Sequence, residues 1–258
     1  MDLGLKDKRV VITASSGGIG RSVAATFLEE GAKVLINGRN ADRLEAAVSE
    51  LSGKYGAGKV IGVAGDATKP ETVDRIVSET ESRWGAADIV IPCAGTGKPV
   101  SSDRLDITEW EHMMDANAYA PVMLIRKCIP LLKMGKDPNI VLISSVVAVG
   151  RSSAPVAYAA AKGALLTLTS YLAGMYPDTC IRVNAIVPGN VYFEGGRWEE
   201  LKNADPQGTD DYIRANVPMN RFATPQEIAD SVVFLASARS SFSNGAVLVV
   251  DGGQNRSI

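Results

Sequence analysis

Cysteine and histidine are scarce in this chain. Its 258 residues include 3 Cys, at positions 93, 128 and 180, and 1 His. Cysteines this few and this widely spaced exclude a disulfide framework and are typical of a reducing compartment. A single histidine without a cysteine pair argues against a zinc site, so we predict no bound metal. A Ser-His-Asp triad would have to use His112, which lies in the charged run 109–112 and is expected to be exposed.

Long apolar runs and a strong net charge are missing as well. The formal net charge is −2 at pH 7, which argues against nucleic acid or an anionic membrane as the main partner. No stretch reaches the roughly 20 apolar residues that a membrane-spanning helix needs. Because Met1-Asp2-Leu3-Gly4 is soon followed by charged residues, we predict no secretory leader and expect a cytoplasmic protein.

Short β-branched runs alternate with helix-length segments along the chain. The predicted strands are residues 10–12, 34–36, 60–61, 89–91, 140–143, 183–187 and 247–250. Apolar strands separated by helices are typical of a parallel sheet covered on both faces. Right-handed crossovers favour an α/β doubly wound sheet of about seven strands, with its site at the carboxyl ends of the strands. No linker interrupts the pattern, so we predict a single domain over residues 1–258.

One segment, residues 190–217, departs from this alternation. It follows the sixth predicted strand and is rich in Gly, Asp, Glu and Asn. An insertion of this length in a compact domain is more often a functional lid than a plain connection. We therefore predict a substrate lid here, with a surface excursion as the alternative.

A glycine-rich turn follows the first strand and leads into a helix. In this context backbone N–H groups and the helix N-terminus hold a pyrophosphate, although a tight strand–helix connection is the alternative. Glycines in the turn let backbone and phosphate approach closely. The turn residues expected to contact a dinucleotide are Ser15, Ser16, Gly18, Ile19 and Gly20.

The second strand ends without a carboxylate. An NAD site usually places an acidic residue about 20 positions after the glycines, on the ribose 2′-hydroxyl. Here the strand ends Asn37-Gly38-Arg39, and the first carboxylate is Asp42. The Arg39 guanidinium suits a 2′-phosphate, so NADP(H) is favoured over NAD(H). The alternative is a solvated arginine in a loop.

Tyr158 and Lys162 lie four residues apart in a predicted helix entered near Pro155, and therefore on one helix face. A phenol beside an ammonium is a candidate proton-transfer unit. Bringing the Tyr158 pKa from about 10 to neutrality requires roughly 4 kcal/mol. One positive charge about 4 Å away, at an effective dielectric near 20, supplies about that much. The alternative is a packed tyrosine and a solvated lysine.

With these motifs in order, the chain resembles the short-chain dehydrogenase/reductase family from Lys8 to Gly253. The resemblance implies a Rossmann-like fold with helices on both faces and usually a homotetramer. It assigns catalysis to Asn117, Ser145, Tyr158 and Lys162. Lys162 would also hold the nicotinamide ribose. Asn117 would anchor a proton-relay water, or would support a kinked helix. The resemblance further implies an adenine contact at Asp66 and other cofactor contacts at Ala67, Ala94, Gly95, Tyr158, Lys162, Pro188, Gly189 and Val191.

The chain departs from the family pattern in three respects. The first glycine of the turn is Ala14, and the family's Asn-Asn-Ala-Gly segment begins with Pro92 and Cys93. The threonine that usually contacts the nicotinamide carboxamide is Phe193. These departures concern cofactor contacts and strand pairing and leave the four catalytic positions intact.

The resemblance predicts an oxidoreductase that interconverts a carbonyl and a secondary alcohol, with Tyr158 as general acid/base and Ser145 steadying the reacting oxygen. The substrate could be a 3-oxoacyl thioester or a small ketone. The alternatives are a sugar or polyol dehydrogenase working oxidatively, or a catalytically weak nucleotide-sensing module. Tyr192, Phe193 and Trp198 could line an apolar pocket, and Arg197 and Arg214 could bind an acidic group. Each of the five could equally be lid packing or a solvated charge.

Overall fold

A seven-stranded parallel sheet forms the centre of the protein. The computed structural model describes residues 1–255. The strands follow the order β3-β2-β1-β4-β5-β6-β7, and every pairing is parallel. The predicted doubly wound parallel sheet is therefore confirmed. The strands are β1 (Arg9–Ile12), β2 (Lys33–Gly38), β3 (Val60–Ala64), β4 (Ile89–Ile91), β5 (Asn139–Ile143), β6 (Arg182–Pro188) and β7 (Val247–Val250).

Helices cover both faces of the sheet. Side chains of successive strand residues point to opposite faces, so Val10 and Ile12 join one apolar cluster while Val11 joins the other. The helices are α1 (Gly18–Glu29), α2 (Ala41–Tyr55), α3 (Pro70–Trp84), α4 (Ile107–Met114), α5 (Ala120–Lys133), α6 (Val156–Met175), α7 (Arg197–Ala204), α8 (Pro206–Asn216) and α9 (Pro225–Ala236). Helices α1, α2 and α9 pack on the first face, and α3, α5 and α6 on the second.

Local sequence explains where several helices begin. The Asn40 side chain accepts from the Arg43 N–H at the start of α2, and Thr224 and Glu227 form a capping box at the start of α9. Between α4 and α5, residues 115–119 form a π-helical turn. Such turns are rare and often mark functional sites. Asn117 lies in this turn, and the sequence left a structural role in a kinked helix as its alternative role.

The segment predicted as a lid contains two short helices, α7 and α8. It follows β6, at the carboxyl edge of the sheet. Its role as a lid remains a prediction, as does the single domain over residues 1–258, of which 256–258 lie outside the described residues. Within residues 1–255, no helix combines the length and the apolar character that crossing a membrane requires.

The turn between β1 and α1 contains a left-handed alanine. Ala14 has a φ of 49°, and its N–H donates to the Asn37 Oδ1 at 3.2 Å. A Cβ at Gly20 would lie 2.6 Å from the Ala14 carbonyl oxygen, so the helix can approach the turn only with glycine at position 20. Ala14 thus adopts the conformation of the glycine it replaces, at the steric cost of its own Cβ.

Replacing Ala14 by Gly should stabilise the protein. Removing the Cβ removes the steric strain of a left-handed alanine, which adds roughly 1–2 kcal/mol to the free energy of unfolding. The greater freedom of glycine in the unfolded chain removes about 0.4–1 kcal/mol of this. Urea unfolding should therefore show the free energy of unfolding of Ala14→Gly rising by up to about 1 kcal/mol.

The reciprocal control is Gly85→Ala, because Gly85 has a φ of 69° and open space around its missing Cβ. It should lose about 1 kcal/mol for the same conformational reason. A loss of stability in Ala14→Gly would show that the turn does not carry this strain.

Candidate functional site

The predicted site residues collect at the carboxyl edge of the sheet. Strand order reverses beside β1, which lies between β2 and β4. Ligands of doubly wound sheets bind in the crevice at such a reversal. The glycine turn follows β1, Ala94 and Gly95 follow β4, and Ser145 follows β5. The structure therefore brings the two predicted halves of the site, nucleotide turn and catalytic residues, to one edge.

Ser145 and Tyr158 meet although they belong to different elements. Ser145 leaves β5 in an extended conformation, and its Oγ accepts from the Val147 N–H at 3.5 Å. Helix α6 begins at Val156 and carries Tyr158 in its first turn. The two side chains are neighbours, because Ser145 acts to lower the pKa of the Tyr158 phenol. The loop after β4 covers the phenol ring, since a Cβ at Gly97 would lie 3.6 Å from the Tyr158 Cε1 and Cζ.

The Lys162 ammonium is buried behind this pair. Lys162 is only 6% exposed, and its Nζ donates to the Ile143 carbonyl oxygen at 2.9 Å. The Ser144 hydroxyl donates to the Lys162 carbonyl at 2.8 Å, which ties α6 to the end of β5. A Cβ at Gly95 would lie 3.2 Å from the Nζ, so glycine makes room for the ammonium. Burial lowers the Lys162 pKa to about 8, a shift that the nearby Cys93 opposes.

The expected lowering of the Tyr158 pKa by Lys162 is wrong for this structure. Burial raises the pKa of the Tyr158 phenol, and the Ser145 hydrogen bond opposes that rise. The Lys162 Nζ lies 5.8 Å from the centroid of the phenol ring and is bound to a carbonyl oxygen instead. Desolvation of the phenolate therefore outweighs the effect of Ser145.

Asn117 is fully buried and uses its amide to hold the loop after β4. Its Oδ1 accepts from the Thr96 N–H at 3.0 Å. Its Nδ2 donates to the carbonyl oxygens of Thr96 and Met113, at 2.9 and 3.0 Å. A Cβ at Gly95 would lie 2.7 Å from the Asn117 Oδ1 and 3.2 Å from the Lys162 Nζ, so these two groups flank the same glycine. These bonds suit the structural role in a kinked helix that the sequence left as an alternative.

The segment that departs from Asn-Asn-Ala-Gly is held by a different side chain. The Thr13 Oγ1 accepts from the N–H groups of Cys93 and Ala94, at 3.1 and 3.3 Å. The hydroxyl thereby joins the ends of β1 and β4 in place of the missing amides. Burial raises the pKa of the Cys93 thiol to about 11, and the Lys162 charge opposes this. The thiol is therefore protonated near neutrality.

The nucleotide turn is fixed from inside by buried polar side chains. The Ser15 Oγ donates to the Ile12 carbonyl and accepts from the Asn37 N–H, so it serves the backbone. The Asn37 Nδ2 donates to the carbonyls of Val63 and Gly65, while its Oδ1 holds Ala14. Asn37 therefore ties together the ends of three strands. The Ser16 hydroxyl lies against Gly38, where a Cβ would be 2.5 Å from it.

The turn leads directly into α1, whose first residues include Gly18, Ile19 and Gly20. Its N-cap is Gly17, which has no side chain to cap the helix, and its first turn contains no acidic residue. The first N–H groups of the helix therefore lack the side-chain acceptor that Asn40 gives to α2. This arrangement fits an anion such as a pyrophosphate.

The other predicted cofactor residues occupy the same edge. Arg39 is exposed just after β2. Asp66 follows β3, where its Oδ1 accepts from the Thr68 N–H and hydroxyl, both at 2.9 Å, and Ala67 is buried beside it. Three predicted cofactor residues lie at the end of β6. Pro188 ends the strand, Gly189 packs against Asp251, and Val191 forms a β-bridge to Ala223.

The aromatic side chains of residues 190–217 contact one another, Phe222 or the glycine turn. The Trp198 ring packs on Tyr212 and Phe222, and Tyr192 also packs on Phe222, with ring centroids 5.2–5.5 Å apart. Arg197 pairs with Glu200, and Arg214 with Asp211. These contacts are the lid packing that the sequence left open. Phe193 differs from the others because its ring lies on Gly18, where it would obstruct a Cβ.

Sequence reasoning missed several residues that shape the site. Asn37 is a polar residue at the end of the apolar run 34–36, and that interruption was its only signal. Thr13 and Thr96 act through hydroxyl or backbone groups that no spacing indicates. Arg43 comes from α2, yet its guanidinium lies across Gly17 in the nucleotide turn.

Comparison with known proteins agrees with this geometry. The chain matches the family model described as Enoyl-(Acyl carrier protein) reductase over residues 13–255. Glucose 1-dehydrogenase of Gluconobacter oxydans is 34% identical over 95% of this chain and 91% of its own. The 3-oxoacyl-(acyl-carrier-protein) reductase of Chlamydia muridarum is also 34% identical, over 96% and 98% of the two chains.

A solved structure is similar over its whole length. L-sorbose reductase from Gluconobacter frateurii, in complex with NADPH and L-sorbose, is 33% identical, with a TM-score of 0.92 and 100% of each chain covered. Fold, site geometry and relatives together establish that this chain belongs to the short-chain dehydrogenase/reductase family of oxidoreductases.

Proposed function

We propose that the protein is an NADP(H)-dependent oxidoreductase that interconverts a carbonyl compound and a secondary alcohol, with Tyr158 as general acid/base. The observation that carries the proposal is the buried Lys162 ammonium at the carboxyl edge of the sheet, with Tyr158 one helical turn away and next to Ser145. Burial of a charge without an acidic partner is costly, so a buried lysine at this position favours a catalytic role over a purely structural one.

The cofactor proposal rests on chemistry that the chain presents. The uncapped start of α1 suits a pyrophosphate, and the Arg39 guanidinium suits a 2′-phosphate. Ser16, Ile19, Asp66, Ala94, Gly95 and Gly189 would hold the remainder of the dinucleotide. When bound, the nicotinamide supplies the hydride chemistry. The NADPH in the related sorbose reductase structure supports NADP(H) over NAD(H).

Each catalytic side chain has a role that its surroundings support. The raised pKa keeps Tyr158 protonated at neutral pH, which is the form that gives a proton to a carbonyl oxygen. Ser145 hydrogen-bonds the same oxygen as charge develops on it. Lys162, with a pKa of about 8, is mostly charged at pH 7 and favours the phenolate once the proton has left. Asn117 holds the loop that covers Tyr158.

For the substrate, we propose a hydroxylated ketone or the corresponding polyol. The support is similarity to a glucose dehydrogenase and to a sorbose reductase bound to its sugar. A 3-oxoacyl thioester is the second candidate, supported by the reductase of Chlamydia muridarum. NADPH oxidation with ketoses, simple ketones and a 3-oxoacyl thioester distinguishes these substrates. No turnover with any of them, despite NADPH binding, would favour the nucleotide-sensing alternative.

Exposed apolar side chains support association into a homo-oligomer, which we propose to be a tetramer. Val122 on α5 and Val156 and Met175 on α6 are 42–55% exposed. A second copy of the chain could cover apolar side chains left exposed on two helices. Light scattering of the wild-type protein should give four times the mass of one chain. Met175→Glu should lower the measured mass, because it places a charge on the proposed interface. A monomer in the wild-type protein would contradict the proposal.

Replacing Tyr158 by Phe should abolish turnover and leave cofactor binding intact. The variant keeps the ring beneath Gly97 but loses the proton donor, so kcat should fall at least about 100-fold. Its NADPH Kd, measured by fluorescence titration, should stay within about twofold, because the binding residues are unchanged.

The matched control is Tyr171→Phe, the same substitution on the same helix at a residue that is 72% exposed. It should retain wild-type kcat. Comparable turnover by Tyr158→Phe and Tyr171→Phe would remove Tyr158 from the mechanism.

A further inference from the structure

The Phe193 ring lies against the start of α1, at a position where the family pattern has a threonine. A Cβ at Gly18 would lie 2.7 Å from the Phe193 Cε2 and 2.9 Å from its Cζ, so the ring and the glycine backbone are in direct contact. Gly18 is the first residue of α1, and the N–H groups of this first turn are the ones that suit a pyrophosphate. An aromatic ring therefore stands beside the anion site of the nucleotide turn.

A second glycine receives the ring on the lid side. A Cβ at Gly196 would lie 2.9 Å from the Phe193 Cε2, so the same edge of the ring contacts Gly196. The ring is half-buried and packs against the apolar cluster that includes residues of β1, α1 and α9. With a glycine on each side, the ring fills the gap between the lid and the nucleotide turn.

The backbone around Phe193 is anchored, while its side chain has room to turn. The Tyr192 N–H donates to the Ala223 carbonyl at 3.0 Å, and the Gly196 N–H donates to the Phe193 carbonyl at 3.0 Å. Next to the ring lies a cavity of about 280 Å³, between α1 and the start of α9. The ring can therefore exchange Gly18 for this cavity by rotation about its side-chain bonds.

The cavity offers the ring a suitable second position. Its lining includes Ala25, Pro225 and the side chains of Arg21 and Arg43. Apolar carbons and guanidinium planes both pack well on an aromatic face. The two positions differ in one consequence for a ligand. With the ring in the cavity, the Gly18 side of the helix start is open to an anion.

We propose that the Phe193 ring competes with the cofactor pyrophosphate for the start of α1 and turns into the neighbouring cavity when the cofactor binds. The inference rests on the proposed NADP(H)-dependent function. An aromatic ring offers no oxygen to the α1 N–H groups, so a pyrophosphate that binds them displaces it. Part of the binding free energy then goes into moving the ring. Phe193 thereby lowers the affinity for NADP(H) and eases its release.

Nucleotide titration of the full chain tests the direction of this effect. In Phe193→Ala no ring has to move, so the NADPH Kd should fall at least about fivefold. Gly196→Ala should act in the same direction, because a Cβ there would displace a ring that has no room to move closer to Gly18. The matched control is Phe242→Ala. Phe242 is fully exposed, so the Kd of this variant should stay within about twofold of the wild type.

Fluorine NMR follows the ring itself. The chain contains 5 Phe, so protein labelled with 4-fluorophenylalanine gives few signals, and Phe193→Ala identifies the one from Phe193. NADPH should shift this signal and leave the Phe242 signal unchanged. ADP should shift it in the same direction, because ADP carries the pyrophosphate without the nicotinamide. An unaffected Phe193 signal in protein saturated with NADPH would overturn the proposal.

The titrations have distinct outcomes, and thermal unfolding without nucleotide shows which variants are folded. Weaker NADPH binding by a folded Phe193→Ala would show that the ring covers the bound cofactor, which would overturn the competition and leave the oxidoreductase intact. An unchanged Kd in this variant would overturn it as well. Failure of both the wild type and Phe193→Ala to bind NADPH would instead overturn the proposed function itself.

Discussion

Burial of one ammonium group is the constraint on which the site depends. Lys162 reaches the end of β5 and bonds to the Ile143 carbonyl, in a space that exists because Gly95 lacks a side chain. The Ser144 hydroxyl binds the Lys162 carbonyl and sets the position of α6 along the strand. With that position set, Tyr158, one turn earlier, meets Ser145. A desolvated charge is expensive, so its retention here points to chemistry more than to stability.

Around this centre, short hydrogen bonds join the strand ends that a ligand must span. Thr13 connects β1 to β4, and Asn37 connects β1, β2 and β3. Because buried polar groups must be paired, these side chains both stabilise the edge and fix its shape. Ala14 adopts a left-handed backbone conformation in this turn, where its N–H donates to Asn37. At the positions that depart from the family pattern, the edge is thus held by Thr13 and Asn37.

The sequence predicted the fold, but it did not predict the surroundings of the proposed catalytic residues. Seven apolar runs separated by helices leave little freedom in topology, and the spacing of Tyr158 and Lys162 places both on one helix face. The pKa of Tyr158 could not be predicted, because it depends on the distance to Lys162 and on burial. The position of Arg43 over Gly17 joins two separate segments, which no local pattern records. The lid aromatics pack on each other for the same non-local reason.

The most direct test of the account is the ionisation of the Lys162 ammonium itself. NMR of protein labelled at the lysine Nζ, with Lys162→Met identifying the signal, follows its titration without substrate or cofactor. The account predicts a pKa of about 8 and slow exchange of its protons with water. A titration at the ordinary lysine value of 10.5, with rapid exchange, would place the ammonium in water and contradict the buried centre from which the proposed chemistry follows.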